Sequence, residues 1–207
     1  MADHALHCGL LMRHLGFEQA HVVGHSSSAA IALQLALDAP EAVGTLVLME
    51  PARPSPSTLA QAEFVSTVVE PAVRRYREGD KAGAVDSWCR GVFGPEYRAA
   101  LDEGLPGGLE QAIVDADAFF RQELPALQQW SFSEVDARRI DRPVLAVLGS
   151  NSMQTFRERR DLLLSWLPNV EEFDLSQATH LLHVQNPRGM AEGLAGFFAR
   201  HPLDQRA

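Results

Sequence analysis

The sequence predicts an α/β protein in which a mostly parallel sheet is flanked by helices and carries a helical insertion. Apolar runs at 45–49 (Thr-Leu-Val-Leu-Met) and 144–148 (Val-Leu-Ala-Val-Leu) are typical of parallel strands that are buried on both faces. Further candidate strands lie at 21–24 and 170–175. Helical segments stand between these strands, and this alternation indicates a parallel sheet joined by right-handed crossovers.

The first two helices have recognisable ends. We expect a helix over 3–15, with Asp3 as its cap and Gly16 as its stop. A second helix over 27–39 follows the first strand and ends before Pro40. The helical period places four leucines on one face of the first helix, namely Leu6, Leu10, Leu11 and Leu15.

The elements after the insertion are equally regular. Gly149 closes the third strand, and a helix over 156–167 leads to the fourth strand. The last helix runs to about residue 200, with Asn186 as its cap and Pro187 at its first position.

The segment between the second and third strands has a different pattern, because it lacks β-branched runs and consists of helical stretches broken by glycine and proline. We therefore divide the chain into a sheet core at 1–52 and 141–207 and a helical cap insertion at 53–140. Aromatic residues are expected to give the cap an apolar underside and a mostly apolar pocket, namely Trp88, Phe93, Phe119, Phe120, Trp130 and Phe132.

Composition and charge exclude several classes of protein. Of the 207 residues 46% are hydrophobic and 22% charged, and the net charge of −9 argues against nucleic acid or an anionic membrane as partner. No apolar stretch could span a bilayer and no signal peptide is visible, so we expect a cytoplasmic protein. No H-E-x-x-H or Cys-x-x-Cys spacing occurs, so no metal site is expected. Cys8 and Cys89 are expected to be buried thiols.

The most informative motif is Gly24-His25-Ser26-Ser27-Ser28, which joins the first strand to the following helix. A serine at such a turn is held in a strained conformation that points its hydroxyl away from the sheet, and the residues two positions away must be small. Ser26 meets this condition, with Gly24 before it and Ser28 after it. Ser27 would have the bulky His25 in that position, and Ser28 lies too far from the strand. Ser26 is therefore the candidate nucleophile.

A second candidate is His180, in the loop between the last strand and the last helix. An imidazole on this loop can take the proton of the serine hydroxyl and later return it to the leaving group. The chain order, with Ser26 first and His180 late, favours a catalytic histidine over an ordinary surface histidine.

With these residues the chain resembles the α/β-hydrolase superfamily, specifically its capped serine members with esterase, lactonase or carbon–carbon-bond hydrolase activity. The resemblance covers nearly the whole chain, although the cap matches least. It implies that Ser26 is the nucleophile, that His180 is the base, that an acid orients the histidine, and that no cofactor takes part. The residues that carry it are 22–26, 46–51, 143–149, 178–180 and Asn186-Pro187.

The acid departs from the family pattern. An aspartate usually follows the strand that ends here at Gly149, but this chain has Ser150-Asn151-Ser152, and a neutral residue cannot stabilise an imidazolium. Some family members supply the acid from the end of the preceding strand, which here is Glu50. Glu50 is our candidate, and a purely structural role at the strand end is the alternative. Asp161 on a helix and Asp174 within a strand are weaker candidates.

The N-terminus is the second departure. Family members have further strands before the first helix seen here, which contribute half of the sheet and one backbone donor of the oxyanion hole. Ser27 can still donate its own N–H, and the loss of one donor costs about 10²–10³ in rate. The first strand would then be an exposed edge. We therefore expect a shortened, partial α/β-hydrolase fold, or an edge covered by a partner or by a second copy in a homo-oligomer.

Two functional interpretations remain. The first is a serine hydrolase that acts on esters, lactones or similar small apolar acyl compounds through an acyl-enzyme. The second is a catalytically silent binding protein or truncated product that keeps the fold. The intact motifs at Ser26 and His180 favour the first interpretation, and the missing aspartate and oxyanion segment favour the second.

Overall fold

The computed structural model describes residues 1–203, and these form one sheet of four parallel strands. The strands lie in the order β1-β2-β3-β4, so neighbours in the sheet are also neighbours in sequence. This sheet confirms the predicted parallel α/β class. The strands are β1 (Ala20–His25), β2 (Val43–Met49), β3 (Val144–Gly149) and β4 (Val170–Leu175).

Helices connect the strands and cover the sheet. Before the long connection between β2 and β3, the chain contains α1 (Ala2–His14), α2 (Ser27–Asp38) and a 3-10 turn at Pro40–Ala42. Two further helices follow this connection. Within residues 1–203 no helix is long and apolar enough to cross a membrane.

The long connection between β2 and β3 is entirely helical in its regular structure. Its helices are α3 (Leu59–Phe64), α4 (Glu70–Arg77), α5 (Lys81–Phe93), α6 (Tyr97–Gly104), α7 (Gly108–Val114), α8 (Ala116–Ala118), α9 (Leu124–Gln129) and α10 (Glu134–Ala137). Single π-helical turns at Val65–Val69 and Phe119–Glu123 join α3 to α4 and α8 to α9. The remaining helices are α11 (Gln154–Trp166) and α12 (Pro187–Arg200).

Alternate residues of the central strands pack on opposite faces of the sheet. Leu46 and Leu48 of β2 pack with side chains from α2 and α11. Val47 and Met49 of the same strand pack with side chains from α12. Because both faces are covered, the residues from Leu46 to Met49 are all apolar, which is the pattern that predicted this strand.

The N-terminal helix packs on α2 through its small residues and not through its leucines. Ala5 and Gly9 are buried, and a Cβ atom at Gly9 would lie 3.6 Å from Leu35 Cδ1 of α2. The four leucines are 47–57% exposed, and they are Leu6, Leu10, Leu11 and Leu15.

Two expectations about this helix are wrong. Asp3 is not its cap, because α1 begins one residue earlier and Asp3 lies within its first turn. Cys8 is exposed, because the helix buries only the side that carries Ala5 and Gly9. Cys89 of α5 is buried as expected, and burial raises the pKa of its thiol to about 12, so it stays protonated at neutral pH.

The helices between β2 and β3 lie over the carboxyl ends of the strands. Their apolar side chains form a cluster that also takes in Leu148 at the end of β3 and Phe156 of α11. Phe120 belongs to this cluster, as the sequence predicted for the cap. Trp130 and Phe132 do not, because the chain has by then returned to the sheet, where both pack with α2 and α11.

Candidate active site

The turn between β1 and α2 has the geometry expected of a strained serine. Ser26 stands between the last residue of β1 and the first residue of α2, with φ 55° and ψ −117°. Such a conformation is costly for a residue with a side chain. A Cβ atom at Gly24 would lie 2.6 Å from the Ser28 carbonyl oxygen and 2.7 Å from Ala29 Cα, so only glycine fits at that position. Of the three serines, Ser26 is the strained one.

Glu50 directly follows β2, is 0% exposed and also has a positive φ, of 44°. Its carboxylate accepts hydrogen bonds from His180 Nδ1 at 2.7 Å, from the Gly149 backbone N–H at 2.7 Å and from the Ser152 hydroxyl. These donors occupy both carboxylate oxygens, so neither oxygen of this buried side chain lacks a hydrogen-bond partner. The loop in which the sequence lacks an aspartate thus contributes donors that hold Glu50 in place.

The two weaker acid candidates lie elsewhere. Asp174 forms an ion pair with Arg160 at 2.6 Å, and Asp161 approaches the same guanidinium at 3.4 Å. Both carboxylates are more than 60% exposed. Neither hydrogen-bonds to His180, whose Nδ1 is already bonded to Glu50.

His180 is held between aromatic rings. Its side chain is 3% exposed and stacks on Phe156 and Phe93, with ring centroids 4.2 Å and 5.9 Å away. With Nδ1 donating its proton to the Glu50 carboxylate, Nε2 is the basic nitrogen of the neutral ring. This is the tautomer that can accept a proton from a serine hydroxyl.

His25 supports this loop rather than competing for the proton. Its Nε2 donates to the His180 carbonyl oxygen at 2.9 Å. Burial and the neighbouring His180 and His183 lower the pKa of His25 to about 3, so its ring is neutral at physiological pH. A neutral ring here adds no positive charge beside His180.

One cavity of about 370 Å³ brings the candidate residues together. Ser26, Ser27 and His180 all line it. Across residues 1–203 no hydrogen bond joins the Ser26 hydroxyl to the His180 ring, as is common in sites without bound substrate.

Ser27 is the first residue of α2, so its backbone N–H has no acceptor within the helix and is free to donate to a ligand. Apolar side chains make up much of the remaining wall, among them Phe64, Val69, Trp88, Phe93, Phe119 and Leu124.

Sequence reasoning did not find three polar groups of this site. Ser152 lies in a loop that was considered only for an acid, Glu123 lies in a π-helical turn, and Arg159 lies within α11. Glu123 accepts a hydrogen bond from the Ser27 hydroxyl. Nothing in the local pattern separates Arg159 from its neighbours Arg157 and Arg160, because only long-range packing places it on the cavity wall.

Comparison with known proteins gives the same fold. A family model described as the alpha/beta hydrolase fold matches residues 1–187. An alpha/beta hydrolase enzyme from a Medee basin deep-sea metagenome library superposes with a TM-score of 0.73 at 18% identity, covering 98% of this chain and 73% of that one.

Two further structures are similar at the same level. A serine hydrolase from the polyaromatic hydrocarbon-degrading bacterium Cycloclasticus zankles has a TM-score of 0.69 at 16% identity, over 94% of this chain and 69% of that one. A carboxylesterase from Bacillus subtilis has a TM-score of 0.66 at 21% identity, over 96% and 66% respectively. At these identities the likeness concerns the fold, and the chain spans roughly two thirds to three quarters of the length of these structures.

Proposed function

This chain belongs to the α/β-hydrolase family, and from that premise we propose that it is a serine-dependent hydrolase of esters, lactones or similar small acyl compounds. Ser26 is the nucleophile, His180 the general base and acid, and Glu50 the acid that orients His180. The observation that carries the proposal is the 2.7 Å hydrogen bond between Glu50 and His180 Nδ1, buried behind a cavity that Ser26 lines.

In the proposed reaction the Ser26 hydroxyl attacks the acyl carbon while Nε2 of His180 takes its proton. The Glu50 carboxylate stabilises the imidazolium that forms, and the backbone N–H of Ser27 donates to the developing oxyanion. His180 then gives the proton to the leaving alcohol, which departs and leaves an acyl-enzyme on Ser26. Water, deprotonated by His180, attacks the acyl carbon and releases the acid and the free serine.

The cavity wall supports an acyl group with an apolar portion. Phe64, Val69 and Leu124 on the cap side face the same space as Ser26, and pockets with this mixture of apolar walls and a few polar groups are typical of small-molecule sites. Two of the similar structures are a serine hydrolase and a carboxylesterase, which agrees with this class of reaction.

The test combines labelling with activity. The purified chain is treated with a fluorophosphonate, which reacts with activated serines, and is then analysed by intact mass and peptide mapping. Hydrolysis of 4-nitrophenyl hexanoate is followed in parallel. We expect one adduct, on Ser26, and loss of both labelling and hydrolysis in Ser26→Ala.

The matched control is Ser28→Ala, because Ser28 is exposed, lies two residues away and does not line the cavity. This variant should keep the adduct and the hydrolysis. A folded chain that takes no adduct and hydrolyses no ester would contradict the proposal and would support the catalytically silent interpretation.

A further inference from the structure

Arg159 of α11 is a buried guanidinium without a carboxylate partner. The residue is 3% exposed, yet it lines the cavity that also contains Ser26 and His180. Its Nε and Nη2 both donate to Gln61 Oε1, at 3.2 Å and 2.7 Å. Within residues 1–203 it forms no ion pair, and its Nη1 donates no hydrogen bond. All of its hydrogen bonds therefore go to the oxygen of one amide.

The surroundings of Arg159 hold the guanidinium in place, and no described residue forms an ion pair with it. The rings of Phe64 and Phe156 each lie 5.1 Å from its Cζ atom, at cation–π distance. Burial lowers its pKa to about 10, the positive charge of Arg53 contributes to this lowering, and the negative charge of Glu50 opposes it. A group with this pKa is still protonated at neutral pH, so the cavity wall carries a permanent positive charge.

The second cation on the wall is Arg53. Its Nε and Nη2 donate to the backbone carbonyls of Leu127 and Gln128, at 3.2 Å and 2.7 Å, so it too is satisfied by neutral acceptors. Among the described residues that line this cavity Glu123 is the one carboxylate, and its partner is the hydroxyl of Ser27. The wall thus bears two positive charges and one negative charge.

A buried charge without a counter-ion is unfavourable, and buried charges in proteins are normally paired. A guanidinium is also the group best suited to bind a carboxylate, because its planar donors match two oxygens at once. A chain that keeps such a group unpaired on the wall of its candidate active site, with one terminal nitrogen unused, has a place for an anion from outside.

We propose that the cavity binds acyl substrates that carry a carboxylate, with Arg159 as the residue that pairs with this carboxylate while Ser26 attacks the acyl carbon. The inference rests on the proposed function and narrows its substrate class to half-esters and similar carboxylated acyl compounds. Arg53, on the same wall, adds attraction for the anion, and Glu123 opposes it.

The test compares two esters that differ only at the end remote from the reacting carbonyl. These are 4-nitrophenyl hydrogen adipate, which ends in a carboxylate, and 4-nitrophenyl hexanoate, which ends in a methyl group. We expect the unaltered chain to show a kcat/KM at least tenfold higher for the adipate. In Arg159→Met the ratio of kcat/KM for the adipate to kcat/KM for the hexanoate should fall by about 10–100-fold. This is the usual effect of losing a charge-assisted hydrogen bond.

Two further variants keep the result interpretable. Arg160→Met removes the same charge from the same helix but outside the cavity, where Arg160 pairs with Asp174, and it should keep the preference for the adipate. Glu123→Gln retains an acceptor for the Ser27 hydroxyl and removes the opposing charge, so it should raise the preference several-fold. If Arg159→Met does not fold, the preference of the unaltered chain for the adipate and its change in Glu123→Gln still test the carboxylate site.

A binding measurement separates the two proposals. Calorimetric titration of the Ser26→Ala variant with monomethyl adipate and with methyl hexanoate measures the binding affinity of each ester without turnover. Stronger binding of monomethyl adipate, lost in Ser26→Ala/Arg159→Met, supports the carboxylate site even if the unaltered chain hydrolyses nothing and the proposed function fails. Hydrolysis or binding of both esters without preference would overturn the carboxylate site and leave the hydrolase proposal standing.

Discussion

The hydrogen bonds of Glu50 explain how a carboxylate that directly follows β2 can lie beside His180. β2 and β3 are neighbours in the sheet, so their carboxyl ends lie side by side. The loop after β3 supplies the Gly149 N–H and the Ser152 hydroxyl, and both donate to Glu50 Oε1 while Oε2 accepts from His180. The residues of this loop thus position the carboxylate instead of providing it.

At the residue scale we predict that Glu50→Gln costs far more activity than Asp174→Asn. The amide has no charge to stabilise the imidazolium and can donate to Nδ1, which favours the wrong tautomer, so kcat should fall by about 10³–10⁴. Asp174 is exposed and paired with Arg160, and its amide variant should stay within about threefold of the unaltered chain. Steady-state kinetics on 4-nitrophenyl esters measures both, and equal losses would remove Glu50 from its proposed role.

At the scale of elements, the turn between β1 and α2 depends on close approach of the backbone. Gly24 is the second-last residue of β1, and the first turn of α2 passes directly over it. A side chain at that position would collide with the backbone of Ser28 and Ala29, whose atoms lie within 2.8 Å of where its Cβ would stand. The strain at Ser26 and the absence of a side chain at Gly24 are therefore two parts of one turn.

We predict that Gly24→Ala lowers the free energy of unfolding by about 1–3 kcal/mol, the usual cost of overpacking, and reduces labelling of Ser26. The control is Gly196→Ala in α12, where the nearest atom to a new Cβ is the flexible Arg200 Nη1 at 3.6 Å. This change should raise the free energy of unfolding by about 0.5–1 kcal/mol, because alanine is the better helix former. Urea unfolding measures both values, and no loss of stability in Gly24→Ala would mean that the turn can widen.

At the scale of the whole molecule, the central strands of the sheet are better covered than its edge strands. β2 and β3 are buried on both faces, whereas β1 pairs only with β2 among the described strands and leaves Val23 45% exposed. On the face of the sheet that α2 covers, α1 carries four exposed leucines, and Phe17 after it is 56% exposed. An edge strand with apolar neighbours is the kind of surface on which another chain can pair or pack.

We therefore expect this chain to self-associate through the open edge of β1 and the exposed leucines of α1. Sedimentation velocity at micromolar concentrations should show a dimer or larger species, and Val23→Lys combined with Leu11→Lys should return it to a monomer. Leu59→Lys is the control, because Leu59 is 85% exposed but lies at the start of α3 in the cap. A monomer formed by the unaltered chain at these concentrations would refute the expectation.

The structural features that could be predicted from the amino-acid sequence are local in origin. The buried strands, the turn that strains Ser26 and the Asn186-Pro187 start of α12 all follow from residues a few positions apart, where sterics and capping act directly. The identity of the carboxylate that lies against His180 depends on the fold, because Glu50 and His180 are 130 positions apart. The fold likewise determines that Arg159, and not Arg157 or Arg160, lines the cavity. These neighbours are determined by the pairing of β2 with β3 and by the packing of the cap. Both depend on many weak contacts between residues far apart in the sequence, and a short sequence pattern does not contain that information.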